Sequence, residues 1–274
     1  MAPPPVVLRS LARLGRATRV ARVLWVTQYA TMLEYRAEIA LWALSGVIPF
    51  VMYGLWSQLP GAAPSLPGPL LARYFVAVFV VRQFTLAWVA WAFEEDHLSG
   101  RLSPYLLQPL HPFWRYLSAH LAEQATRLPF TLLIAGGFLA LQPDAFGMPD
   151  PARLLAGVLA VGLGFAVNFL LQSIVAILCF WSERATALDR LLYLPFFFLS
   201  GLVAPLDTFP EPLHRLALLT PFPLILDFPA RLLAGASVGV AAGYGLQLLW
   251  IGLLLPVVAL LWRRGVRRYG AMGA

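Results

Sequence analysis

The chain has 274 residues, of which 60% are hydrophobic and only 12% are charged, and its formal net charge is +7. Soluble domains carry about 25% charged residues, so this composition excludes a soluble globular protein and indicates an integral membrane protein. All 20 basic residues are arginine. The phosphate-binding loop of P-loop ATPases requires a lysine, so the chain lacks that nucleotide site.

Topology explains the positive charge. Membrane proteins concentrate arginine on their cytoplasmic flanks, whereas nucleic-acid binding requires a basic surface on a soluble domain, and the sequence has no such domain. We therefore predict no nucleic-acid partner. The single cysteine, Cys179, excludes an internal disulfide.

Residues 1–36 predict a cytoplasmic helix that lies in the membrane interface. Its leucines and arginines fall on opposite sides of a helix, with Leu8, Leu11 and Leu14 on one side and Arg9, Arg13 and Arg16 on the other. This pattern is typical of interfacial amphipathic helices. The alternative is a charged flank that only fixes the orientation of the chain.

Six apolar stretches follow, each about as long as a membrane-spanning helix needs to be. They cover about residues 37–57, 72–93, 117–141, 152–181, 188–205 and 240–262. When the intervening segments are assigned to alternate sides, most arginines fall on the side of the two termini. Because arginine marks the cytoplasmic side, we predict that both termini are cytoplasmic and that residues 263–274 form a cytoplasmic tail. The whole chain, 1–274, is then one membrane domain with a six-span bundle at 37–262.

The stretch between the fifth and sixth spans, residues 205–239, is too apolar for an aqueous loop and too interrupted by proline for a further span. We expect short helices that lie in, or dip into, the outer leaflet. Irregular backbone at that depth requires cover from protein or a water-filled cavity.

Arg82 lies near the middle of the second predicted span. A central arginine costs about 2.5–3.5 kcal/mol on insertion scales, so it must face a polar cavity, a partner subunit or a carboxylate on another span. Two interpretations follow from this cost. Arg82 either contacts an anionic head group of a substrate or holds helices together through a buried pair.

We interpret the other polar residues within the spans as residues that stabilise the helices and their packing. Glu123 and Arg127 lie four residues apart in the order that suits a helical ion pair, and we interpret them as a self-satisfying pair, with a gating role as the alternative. Asn168 and Gln172 continue a stripe of small residues on the fourth span. Such a stripe is typical of close helix packing with interhelical hydrogen bonds, and a transport path is the alternative.

Residues 94–110 join the second and third spans on the predicted cytoplasmic side, and we call them the docking segment. The segment begins with the acidic run Glu94, Glu95 and Asp96 and becomes apolar after a glycine and an arginine. Consecutive residues on a helix point in different directions, so the acidic run cannot converge on an ion, and we predict no metal site. No catalytic motif is present.

The docking segment, with the run PLHPF at 109–113, resembles the cytoplasmic loop of ABC-transporter permeases of the second export class, the ABC-2 type, and in particular a bacterial subgroup of this length. Two further stretches agree with this resemblance. Residues 201–222 resemble the outward hairpin of these permeases, and the run RRYGA at 267–271 resembles their basic C-terminus.

The resemblance implies an all-α fold with six spans per subunit, which pairs with a second permease, either an identical copy or a paralogue. It also implies separate cytoplasmic P-loop ATPase subunits that hold ATP and Mg, so that this chain is no enzyme and carries no cofactor. These ATPases dock on a coupling helix between the second and third spans.

On this chain the coupling helix falls in the docking segment. Its charged residues would set register, its apolar residues would supply buried contact, and the set is Glu94, Glu95, Asp96, His97, Leu98, Gly100, Arg101, Leu102, Tyr105 and Leu106. In the outward hairpin, we predict an outer gate of Pro205, Phe209 and Pro210.

The leading hypothesis is therefore the permease subunit of an ATP-driven exporter. It would lie in the cytoplasmic (inner) membrane, in contact with membrane lipid, and move a hydrophobic or amphipathic substrate. A membrane-embedded lipid-modifying enzyme and an ion-coupled secondary transporter are the alternatives, although the latter usually shows inverted repeats.

Overall fold

A computed structural model describes residues 5–59, 66, 68–147, 150–182 and 184–273, except for the side chains of residues 5–17 and 270–273. Regular structure in these residues is helical, without strands, which confirms the all-α prediction. The predicted leucine and arginine faces of residues 1–36 lie outside the described side chains.

Thirteen α-helices are described, in chain order. They are α1 Pro5–Glu34, α2 Arg36–Ser45, α3 Ile48–Trp56, α4 Pro69–Thr85, α5 Val89–Leu98, α6 Leu102–Leu106, α7 Phe113–Leu141, α8 Pro151–Ile177, α9 Ala185–Leu199, α10 Glu211–Leu218, α11 Phe222–Ile225, α12 Asp227–Ala234 and α13 Val240–Gly273. Short 3-10 turns lie at Pro143–Ala145, Leu178–Phe180 and Leu206–Thr208.

Five helical stretches in the described residues are long and apolar enough to cross a membrane. They are Arg36–Trp56, Pro69–Leu98, Phe113–Leu141, Pro151–Phe180 and Val240–Tyr269. They agree with five of the six predicted spans and confirm a multi-pass membrane protein. The last of them is longer than predicted, because α13 continues without a break through the region predicted as a tail.

The fifth predicted span, residues 188–205, corresponds to α9, which has only 15 residues. At about 1.5 Å per residue, α9 is about 22 Å long, whereas the hydrocarbon core of a bilayer is about 30 Å thick. The chain then leaves the helix and turns at Gly201, whose φ is +88°. The six-span count therefore stays a prediction.

Helix α8 lies at the centre of the bundle and packs against α4, α5, α9, α11, α12 and α13. Small residues on α8 make this possible, as the stripe predicted. At Gly164 an added Cβ would lie 3.0 Å from the carbonyl oxygen of Ile225. A larger residue there would force α11 away from α8.

The segment that follows α9 folds as the sequence indicates, into the short helices α10, α11 and α12. All residues from 221 to 230 are buried. Helix α12 packs against α4 and α8, and α11 packs against α8. Protein therefore covers residues 221–230, whereas α10 is mostly exposed, and the position of the segment in the outer leaflet stays a prediction.

Two of the spanning stretches are interrupted. The first bends between α2 and α3 at Gly46 and Val47, and the second breaks between α4 and α5 at residues 86–88. Helix breaks usually occur at proline or glycine, but the sequence at 86–88 is Leu-Ala-Trp. Other parts of the fold must therefore stabilise the second break.

Candidate functional site

The docking segment contains two short helices joined by a tight turn. Helix α5 ends at Leu98, and Gly100 follows with φ +76°, a left-handed conformation in which other residues are strained. Helix α6 then begins at Leu102. The glycine-arginine step in the sequence is thus the point at which the chain changes direction.

The charges of the docking segment bond to one another and to α7. Arg101 donates to Asp96 at 2.8 Å and to Glu95 at 2.7 Å. The hydroxyl of Tyr116 on α7 donates to the second oxygen of Asp96 at 2.9 Å. The hydrogen bonds to Glu95 and Asp96 raise the pKa of Arg101 above its ordinary value. Asp96 is buried and therefore fixes the segment to α7.

Glu94 bonds to the first turn of α9. Its carboxylate accepts from the backbone N–H of Thr186 at 2.7 Å and from the hydroxyl of the same residue at 3.0 Å. The first N–H groups of a helix have no partner within the helix. Glu94 therefore acts as a cap contributed by another helix, and it connects α5 to α9.

We expect Glu94→Ala to loosen the start of α9 and to lower the free energy of unfolding by about 1 kcal/mol, the usual effect of losing a cap. Hydrogen exchange of the amides at Thr186 and Ala187 should become faster. Glu95→Ala is the matched control, because Glu95 is exposed and bonds within the docking segment only. Unchanged exchange at the start of α9 in Glu94→Ala would contradict this role.

The apolar residues of the docking segment divide into inward and outward sets. Leu102 is fully buried, and Tyr105 and Leu106 are half-buried. Leu98 is 63% exposed and Leu107 is 88% exposed. A contact between Leu102 and a partner would require the chain's own core to open, so Leu98 and Leu107 are the apolar side chains most open to a partner. The sequence could not show which side of a five-residue helix faces inward.

The docking segment also contacts the end of α13. The hydroxyls of Ser103 and Tyr269 are 2.7 Å apart, and the ring of His97 lies 5.4 Å from that of Tyr269. His111, which directly follows the docking segment, lies against Trp262 with ring centroids 4.5 Å apart. Burial lowers the pKa of His111, so its imidazole is mostly neutral at pH 7. The segment is thus connected to α7, α9 and α13.

A second polar group stabilises the break at residues 86–88. We call it the break cluster, and it consists of His120, Glu123, Gln124 and Arg127 on α7 and Asn168 on α8. Carbonyl groups at the end of α4 accept from its side chains: Gln83 from Arg127 at 3.1 Å, Phe84 from Gln124 at 2.8 Å and Thr85 from Asn168 at 2.8 Å.

On the other side of the break, Trp88 donates twice to the break cluster. Its backbone N–H donates to Nε2 of His120 at 3.0 Å, and its indole N–H donates to Glu123 at 2.8 Å. In lipid each unsatisfied backbone group costs several kcal/mol. Side chains of α7 and α8 therefore replace the helical hydrogen bonds that the break removes.

The predicted ion pair of Glu123 and Arg127 forms within the break cluster. Arg82 lies beside it, at the bend between α2 and α3, where an added Cβ on Gly46 would lie 3.0 Å from its NH1 atom. The neighbouring Gln83 donates to the carbonyl of Ala43 at 3.1 Å. The bend in the first span and the break in the second therefore meet at the same place.

The two amides on α8 bond to different elements. Asn168 donates to the break, as described above, and Gln172 donates to Asp189 on α9. Both contacts agree with the packing interpretation. A transport path lined by these amides stays a prediction.

An ion network that the sequence did not predict joins α4 to residues 205–239, which we call the outer segment. Tyr74 on α4 donates to Asp227 at 2.6 Å, and Arg231 bonds to Asp227 at 2.8 Å and to Asp207 at 2.8 Å. Gly201 lies against this group, since an added Cβ would lie 2.6 Å from the hydroxyl of Tyr74. We call these residues the outer ion network. The spacing of Asp227 and Arg231, which suits a helical ion pair, was the signal available in the sequence.

The residues predicted as an outer gate lie next to this network. Pro205 is buried, Phe209 is half-buried and Pro210 is exposed. The carbonyl of Pro205 accepts from the hydroxyl of Thr208 at 2.7 Å. Phe209 packs on a cluster that includes Leu206 and Ile225. Movement of these residues as a gate stays a prediction.

Five helical stretches of spanning length and a structured polar segment between two of them define a polytopic membrane protein. Residues 70–273 match the sequence profile of the family described as "ABC-2 family transporter protein". The chain belongs to this family and is a transmembrane transporter subunit, a class that associates with ATPase subunits. A comparison with curated proteins gives no match.

Proposed function

We propose that the chain is the permease subunit of an ATP-driven exporter in the cytoplasmic membrane. Separate P-loop ATPase subunits hold ATP and Mg and dock on the cytoplasmic docking segment, and both termini lie on that side. The permease pairs with a second copy or a paralogue and moves a hydrophobic or amphipathic substrate. The observation that carries this proposal is the docking segment, which is fixed to the chain on one side and exposed on the other.

The exposed side suits a protein groove. Leu98 and Leu107 supply apolar contact. The side chains of Glu95 and Arg101 are 71% and 49% exposed and supply charge. Short helices dock into grooves through apolar anchors of this kind, and charges around the anchors set orientation and exclude wrong partners.

The contacts on the fixed side would transmit movement of the docking segment to three helices. Asp96 bonds to α7, Glu94 bonds to α9, and Ser103 bonds to α13. When the ATPases close on nucleotide, a displacement of the docking segment moves the ends of these three helices together. The break at residues 86–88 lets α5 move with them while α4 stays with the outer segment, in the manner of a hinge.

We expect Leu98→Asp combined with Leu107→Asp to abolish association with the ATPase. Both side chains are exposed, so the two carboxylates can be placed without disturbing the core, and they oppose burial in an apolar groove. The measurement is recovery of the P-loop ATPase that co-purifies with the tagged wild-type chain from its native membrane.

The matched control is Leu216→Asp combined with Leu219→Asp on and after α10, where the leucines are 52% and 76% exposed. This variant should keep the ATPase. If the wild-type chain retains no P-loop ATPase, as expected of a lipid-modifying enzyme or an ion-coupled carrier, the proposal fails. Equal recovery from both double variants would reject the docking surface.

A further inference from the structure

The break cluster and its surroundings contain more positive than negative charge. Arg82 and Arg127 lie near the middle of two spanning stretches, and Arg82 repels Arg127 electrostatically. In the described part of the chain, Arg127 pairs with Glu123, whereas Arg82 makes no ion pair. Two guanidinium groups therefore lie near a single carboxylate, and only Arg127 pairs with it.

Both oxygens of the Glu123 carboxylate already have a partner, and neither pairs with Arg82. One oxygen of Glu123 pairs with Arg127 and the other accepts from Trp88. His120 does not add a charge, because its Nε2 accepts from the backbone N–H of Trp88 and must therefore be unprotonated.

Two buried donors in this place lack an acceptor. The Nε atoms of Arg82 and Arg127 are both buried and form no hydrogen bond within the described residues. Arg127 as a whole is only 3% exposed. Buried charged groups are normally hydrogen-bonded, so a guanidinium with a free buried Nε indicates that an acceptor is missing.

Arg82 can be reached from outside the chain. Its side chain is half-buried, so part of it lies at the molecular surface. The bend at Gly46 leaves room for it, as the distance from an added Cβ shows. The helices on either side of this bend expose large apolar side chains: Leu41, Trp42, Leu44, Val51 and Leu55. The two helices that meet at the bend beside Arg82 thus both carry exposed apolar side chains.

We infer that Arg82, with the positive charge of the buried Arg127 behind it, forms a binding site for the anionic head group, a carboxylate or a phosphate, of an amphipathic molecule. The planar guanidinium matches both groups through paired hydrogen bonds, and the apolar tail would lie along α2 and α3. The site exists independently of the transport role, but its assignment as a substrate site rests on the proposed function.

The test is binding to the purified full chain in neutral detergent, followed by native mass spectrometry. The probes are two matched pairs: stearate with stearyl alcohol, and dioleoylphosphatidylglycerol with dioleoylglycerol. We expect at least tenfold tighter binding of the anionic member in one pair or both. A preference limited to stearate identifies a free amphipathic acid, and one limited to the phospholipid pair identifies a lipid head group.

Arg82→Gln should reduce this preference at least fivefold, and it should fold well because it removes an unpaired charge. Arg82→Lys should retain part of the preference, since it keeps the charge without the planar fork. Arg153→Gln, which changes an exposed arginine at the start of α8, should retain all of it. Equal binding of charged and neutral probes to the wild-type chain, or an unchanged preference in Arg82→Gln, would overturn the inference.

Recovery of the ATPase is measured on the same preparations to separate the two proposals. A wild-type chain that retains the ATPase but shows no anionic preference rejects the site alone. A chain that shows the preference but retains no ATPase rejects the exporter and leaves the binding site in place. Arg82→Gln should keep the ATPase, because the docking segment does not involve Arg82.

Discussion

Glu123→Ala is expected to lower the free energy of unfolding by about 3–5 kcal/mol, the cost of leaving a buried charge without its partner. The substitution would leave Arg127, whose side chain is 4% exposed, without its carboxylate and close to a second arginine. It would also remove the acceptor for the indole of Trp88 at the helix break. The measurement is reversible unfolding in mixed micelles, monitored by circular dichroism.

The chain offers a matched control for this substitution. Glu211 and Arg215 on α10 form an ion pair with the same spacing and order, but their side chains are 65% and 76% exposed. Exposed pairs contribute about 0–1 kcal/mol, so Glu211→Ala should have little effect. Addition of Arg82→Gln to Glu123→Ala should restore part of the loss, because it removes one of the two positive charges. Similar losses from Glu123→Ala and Glu211→Ala would contradict the role of the break cluster.

Asp227→Ala is expected to lower the free energy of unfolding by about 3 kcal/mol. Asp227 is buried and receives hydrogen bonds from Tyr74 and Arg231. Its loss would remove the carboxylate that both Arg231 and Tyr74 contact, and with it the hydrogen bond between α4 and α12. Thermal unfolding in the same micelles measures the effect, and limited proteolysis of the outer segment, residues 205–239, should become faster.

Two further variants measure how much the other members of the outer ion network contribute to the free energy of unfolding. Tyr74→Phe keeps the ring and removes the hydroxyl that donates to Asp227 and to the carbonyl of Gly201, so we expect a loss of about 1 kcal/mol. Asp207→Ala should fall between the two, because Asp207 is more exposed than Asp227 and Arg231 retains its pair with the more deeply buried Asp227. An effect of Asp227→Ala no larger than that of Tyr74→Phe would show that the ion pairs do not hold this segment.

Composition and local pattern were sufficient to predict the five long helices. A bilayer requires about 20 apolar residues in a helix, and this requirement can be read directly from the chain. The position of the docking segment followed from the interruption of the apolar pattern. The long-range contacts that define the candidate site could not be predicted in the same way.

The helix break is the clearest example. Nothing at residues 86–88 marks a break, because neither proline nor glycine is present. The stabilising groups come from elsewhere: His120 lies 32 positions from Trp88, and Asn168 lies 83 positions from Thr85. The sequence showed each polar side chain within a span, but only the packing of α7 and α8 against α4 and α5 shows which backbone groups they satisfy.

The inward direction of Leu102 was unpredictable for a related reason. A five-residue helix has too few turns for a hydrophobic period to be measured, so its buried side depends on the helices around it. Arg231 illustrates the opposite case. Its spacing from Asp227 was visible in the sequence, but the arginine was assigned a topological role only, and the carboxylates that neutralise it were overlooked.

Helix α13 is a single helix, whereas the second spanning stretch is broken between α4 and α5. With 34 residues it is about 51 Å long, and it contacts both α11 and the docking segment. Near its start Gln247 donates to the carbonyl of Leu224 on α11 at 2.8 Å, and near its end Tyr269 meets Ser103. A tilt of α13 by about 5° would shift one of these contacts by about 3 Å relative to the other. Under the proposed function, movement at the docking segment would reach the outer segment through this one helix.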